Sequence, residues 1–150
     1  GGNLAIVVSM MARDNGIKLP VHQLAVYPVA SNDAATASKI KYAQAKPLAT
    51  PALPWFLGHY LNSASESADP RISLVNANLS GLPATTIIAA ELDPLQSEGK
   101  TLSEKLQAAG VSVNYQLYNG VTHEFFGMAS VVPEAKNAQD YAAGKLKASF

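Results

Sequence analysis

Cysteine is absent from the 150 residues. Its absence removes thiolate nucleophiles, cysteine-ligated zinc and disulfide frameworks, and leaves the redox compartment open. An excess of either charge is also missing. Eleven Lys and Arg offset eleven Asp and Glu, and neither sign gathers into a block, so no field exists to hold nucleic acid or an anionic membrane. A small or neutral ligand is the more natural partner. No apolar run reaches the roughly eighteen residues that a membrane-spanning helix needs, and there is no internal repeat or low-complexity tract. The opening Gly1-Gly2-Asn3-Leu4-Ala5 has neither an initiator Met nor a positive leader segment. It reads as the interior of a longer protein, with no compartment indicated.

What is present suits one domain core, or part of one: 48% of the residues are hydrophobic, too few in a chain this short for two comfortable cores. From Asn3 to Arg13 nearly every residue is apolar or small, with Leu4, Val7, Val8 and Met11 at helical spacing. This predicts a helix buried on most sides. Asn15-Gly16 ends it, and Pro20 opens a short β-rich run from Val21 to Tyr27, closed by Pro28. Residues 29 to 50 show no clear periodicity. Pro51 to Leu61 reads as an aromatic helix, and Asn62 to Asn78 as a polar loop.

A second strand, Ala84 to Ala90, is apolar throughout, as expected when both faces are covered. It leads to Glu91-Leu92-Asp93-Pro94. A helix from Gln96 to Ala109 with a Leu102, Leu106 and Ala109 stripe stops at Gly110, and Val111 to Tyr118 gives a third strand. Asn119-Gly120 then turns the chain into a loop that presents His123. A last helix runs from about Pro133 to Ala148 with Ala138, Tyr141, Ala142 and Leu146 on one face. Alternating strands and helices predict an α/β fold with a mostly parallel sheet covered by helices on both faces. In such folds ligands bind beyond the carboxyl ends of the strands, where Asp93 and His123 both fall.

These signals, in this order, resemble the hormone-sensitive-lipase-like branch of the α/β-hydrolases, which includes bacterial carboxylesterases, and the resemblance covers nearly the whole chain. In that family a strand ends in Gly-Asp-Ser-Ala-Gly-Gly and runs into a buried helix, which matches Gly1-Gly2-Asn3-Leu4-Ala5 and the apolar helix it opens. The segment Glu91-Leu92-Asp93-Pro94-Leu95 is similar to the acid loop. Tyr118-Asn119-Gly120-Val121-Thr122-His123-Glu124-Phe125-Phe126 is similar to the histidine loop. The resemblance implies an α/β-hydrolase fold of which residues 1–150 are the C-terminal half. It further implies carboxylic ester hydrolysis by a Ser-His-Asp triad in the full-length protein, with Asp93 and His123 catalytic and the nucleophilic Ser upstream of Gly1. The order acid before histidine, with the serine upstream, is that of the α/β-hydrolases.

Two departures qualify the implied chemistry. The serine and the upstream His-Gly-Gly-type oxyanion loop are not in the chain, so turnover requires the missing N-terminal half and the isolated chain is expected to be inactive. The usual His-Gly-Phe is His123-Glu124-Phe125 here, which places a charge beside the base. Trp55, Phe56, Leu95 and Phe125 are candidate substrate-binding residues lining an acyl or alcohol pocket for a small-molecule ester. No cofactor and no metal are implied. The run His123-Glu124-Phe125-Phe126-Gly127 begins like a zinc-protease helix, but Gly127 stands where a second histidine ligand is needed. Glu91 is a lesser candidate for the orienting carboxylate, and His22 and His59 read as structural. The alternative function is a non-catalytic, hydrolase-like small-molecule binding protein. The oligomeric state is open.

Overall fold

In a computed structural model, which describes residues 1–150, the chain folds around a three-stranded parallel sheet in the order β1-β2-β3. Helix α1 spans Gly2–Asp14, β1 Gln23–Val26, α2 Ala37–Lys41 and α3 Ala52–Tyr60, followed by 3-10 turns at Ala64–Ala68 and Leu74–Asn76. Then come β2 at Thr85–Leu92, α4 at Gln96–Ala108, β3 at Val113–Thr122, a 3-10 turn at Phe125–Gly127 and α5 at Pro133–Lys147. The central β2 pairs Ala25 with Ile87 on one side and Ile87 with Tyr115 on the other.

Alternation along β2 divides the core in two, because successive strand side chains point to opposite faces. Ile87 joins Ile6, Val7 and Met10 of α1 and Leu102 and Leu106 of α4. Ile88 and Ala90 join Val121, Phe125, Ala135 and Ala138, the last two from α5. Residues 85 to 90 are all buried, which is why this strand is apolar on both faces rather than alternating.

The structure departs from expectation at three places. Helix α1 is not buried on most sides: Ile6, Val7, Ser9 and Met10 face the sheet, while Leu4, Val8 and Met11 are 50 to 59% exposed. An almost uniformly apolar helix carries no periodicity to fix its facing. Two polar side chains settle inward on backbone acceptors, Asn3 Nδ2 donating to the carbonyls of Val29 (3.0 Å) and Ile72 (3.2 Å) and Ser9 Oγ to that of Ala5.

Strand β3, expected to end at Tyr118, continues to Thr122 through a bulge, since Ala90 pairs with Tyr118 but Leu92 with Thr122. Gly120 makes the bulge feasible with φ +73°, a left-handed conformation that costs glycine little. Its N–H donates to Glu91 Oε2 at 2.7 Å, so Glu91 serves the bulge and not the histidine. Finally, α2 arises where no periodicity was visible. It is held by long-range bonds: Ser38 Oγ donates to the Pro94 carbonyl (2.6 Å) and accepts from the Ser97 N–H (2.9 Å), and Ser97 Oγ accepts from the Ser38 N–H (3.0 Å).

Candidate active site

Asp93 follows the last residue of β2 and His123 the last residue of β3, so two parallel strands deliver both to the same end of the sheet. Asp93 is 1% exposed. Its Oδ1 accepts the Leu95 N–H at 2.8 Å, a turn that also fits Asp before Pro94. Its Oδ2 lies 2.8 Å from His123 Nδ1. A carboxylate only accepts, so Nδ1 carries the proton and donates. The lone pair of a neutral ring then sits on Nε2.

Tyr27 and Glu124 adjoin the imidazole, and Phe125 holds the loop that carries it. The Tyr27 ring lies at 4.2 Å between centroids, tilted 49°. Phe125, 2% exposed, anchors the loop in the core against Tyr118 (5.5 Å) and Phe126 (6.5 Å). Glu124 turns the chain with φ +73° and brings Oε1 within 3.7 Å of His123 Nε2. The phenol of Tyr27 is pushed up to about 12, first by burial and then by the carboxylates of Glu124 and Asp93.

His123 borders a cavity of about 630 Å³ whose walls also include Gly1, Gly2, Tyr27 and Leu95. Leu48, Leu53, Phe56 and Leu57 close its far side. Of the candidate binding residues, Phe56 and Leu95 are in the wall, whereas Trp55 and Phe125 are not. Trp55 points outward, 62% exposed, against Phe56 and His59. Phe125 packs in the core, its ring against those of Tyr27, Tyr118 and Phe126. The start of α1 reaches this cavity because residue 2 is glycine: a Cβ there would sit 2.6 Å from the Val26 carbonyl oxygen and 3.0 Å from Pro28 Cα.

Sequence reasoning missed two features here. One is Tyr27, which reads in the sequence as no more than the end of a strand. The other is a buried ion pair in the cavity floor, Lys39 Nζ with Glu98 Oε2, whose side chains are 5% and 0% exposed. Glu98 Oε1 also accepts the N–H groups of Ala30 (2.8 Å) and Ser31 (3.3 Å), and Lys39 Nζ donates to the carbonyls of Ser31 (3.1 Å) and Asp33 (2.6 Å). Burial raises the Glu98 carboxyl, and Lys39 opposes the rise. Nothing in the composition of residues 29–50 marks Lys39 as interior.

His22 is structural: Nε2 meets Thr86 Oγ1 at 2.9 Å and Nδ1 meets Ser149 Oγ at 3.2 Å. No three His, Asp or Glu side chains cluster so as to hold a metal, and no helix is long and apolar enough to cross a membrane.

The sequence profile described as alpha/beta hydrolase fold matches residues 1–127. A carboxylesterase of Mycobacterium tuberculosis is 35% identical over 151 aligned positions, covering 98% of this chain and 47% of the relative. An ethyl acetate hydrolase of Pseudomonas putida is 32% identical over 137, covering 90% and 43%. Among solved structures, a hyperthermophilic esterase of the archaeon Pyrobaculum calidifontis superposes with a TM-score of 0.94 at 32% identity, over 99% of this chain and 50% of its own. The chain thus spans about half the length of the relatives it matches.

Proposed function

Since the chain belongs to the alpha/beta hydrolase fold family, we propose that it forms the base-and-acid half of a carboxylic ester hydrolase whose nucleophilic serine precedes Gly1. The observation that carries this reading is the His123–Asp93 pair, with His123 lining a cavity that also receives the start of α1. Gly1 lines that cavity together with His123, so a serine two positions before Gly1 would be placed close to the histidine. The named esterase activity of the relatives supports this reaction class.

In this reaction the serine oxygen attacks the ester carbonyl carbon while Nε2 takes the hydroxyl proton, giving a tetrahedral oxyanion and an imidazolium held by Asp93. The C–O bond to the alcohol breaks as Nε2 returns the proton to the leaving oxygen. Water repeats the sequence on the acyl-enzyme and releases the acid. Donors for the oxyanion belong outside residues 1–150, which is the reason to expect no turnover from this chain alone. Phe56 and Leu95 are proposed as walls for the acyl or alcohol portion. Trp55 and Phe125 act one layer away, by supporting Phe56 and the histidine loop.

The test is hydrolysis of short-chain esters by the full-length protein. His123→Ala and Asp93→Asn are each expected to lower kcat at least about ten-thousandfold. Activity within about tenfold of the parent in both variants would exclude the triad. Tight ligand binding without any turnover in the parent would favour the non-catalytic binding protein.

A further inference from the structure

Tyr27 carries a backbone conformation that its sequence opposes. Its φ is +33°, outside the regions open to bulky L-residues, and Pro28 restricts it further because the residue before a proline is driven toward extended geometry. Such strain persists only where the surroundings over-determine it. Here they do so on both sides. The Tyr27 N–H donates to the Ile88 carbonyl at 2.7 Å, and Gly2 is pressed against the Val26 carbonyl and Pro28, with no room for a side chain.

The result of this clamp is the aim of one ring, 4.2 Å from the imidazole of His123 and 6.3 Å from Phe125. Building on the hydrolase reading above, we infer that Tyr27 is a positioning residue for His123. Its ring, tilted 49° at 4.2 Å from the imidazole, keeps the imidazole in the orientation that sets Nδ1 on Asp93, and stays beside the imidazolium formed when Nε2 takes the serine proton. Aromatic faces attract cations through their quadrupole, so the contact is worth more after proton transfer than before it, which is the condition for raising kcat rather than lowering KM.

The phenol, pushed up to about 12 by burial and by Glu124 and Asp93, stays neutral and does not compete for the proton. The aromatic ring, rather than the hydroxyl, is the working part. The charged groups at the imidazole are the carboxylates of Asp93 and Glu124; Tyr27 is the aromatic ring beside it.

The experiment compares Tyr27→Leu and Tyr27→Phe with the parent in the full-length protein, reading kcat and KM for a neutral short-chain ester and the downfield NMR resonance of the His123 Nδ1 proton. Tyr27→Leu, with its fold checked by thermal melting, is expected to lower kcat by about tenfold to a hundredfold, with KM within about twofold. Its Nδ1 proton resonance should broaden through exchange with water. Tyr27→Phe should restore both readouts.

Three results overturn the inference: an unchanged kcat and a sharp Nδ1 proton in Tyr27→Leu, a change confined to KM, or damage in Tyr27→Phe equal to that in Tyr27→Leu. Full activity in His123→Ala would instead remove the hydrolase reading, and the Nδ1 resonance would still decide whether Tyr27 holds the imidazole.

Discussion

At the scale of single residues, the two histidines with assigned contacts differ in what surrounds them. His123 faces the Asp93 carboxylate, whereas His22 meets only hydroxyls. Burial, and then the positive charge of Lys145, pull the His22 pKa below its ordinary 6.5. A depressed pKa means that the folded state prefers the neutral ring, so its stabilisation is present above pH 6.5 and is lost as pH falls through the folded value. Urea unfolding between pH 7.5 and 5 should therefore show stability declining toward acid, with a shallower decline in His22→Gln. An identical slope in the two proteins would remove His22 as the cause.

Among the elements, α2 and α4 are joined by the Ser38–Ser97 exchange and by the Lys39–Glu98 pair. Removing one member of a buried ion pair leaves the other uncompensated. Glu98→Ala is expected to destabilise by about 3–5 kcal/mol, and the double variant Lys39→Met/Glu98→Gln by clearly less. Chemical denaturation of the three proteins checks this, and equal losses in single and double variants would sink the argument.

Both helices also show what sequence can and cannot reveal. The Leu102 and Leu106 stripe makes α4 legible because its burial is periodic. Five-residue α2 has no period to read, and its bonds reach 56 and 59 residues away. The strands β1 and β2 are visible as apolar runs. The bulge at Gly120 reads as a turn because Asn-Gly marks both. Asp93 and His123 stand out through their places after strand ends, while Tyr27 leaves no trace because its conformation is imposed by Gly2 and Ile88.

For the molecule as a whole, β1 pairs with β2 alone and its other edge is open. Beside it, Leu4, Val8 and Met11 are exposed on α1. An unpaired strand edge is a template for association, so the 150-residue chain by itself should self-associate at micromolar concentration, with a broad urea transition. Sedimentation velocity measures the first; a monodisperse monomer that unfolds sharply would contradict both expectations.

The cavity is unequal in its walls. Asp93 and His123 follow strands packed between helices and Leu95 caps α4, but α3, which supplies Phe56 and Leu57, has no buried residue. Few buried contacts mean a low cost of local opening. One side of the chamber therefore acts as an anvil and the other as a cushion. A ligand too bulky for the cavity is therefore expected to displace the α3 side before it changes the 2.8 Å contact between Asp93 Oδ2 and His123 Nδ1.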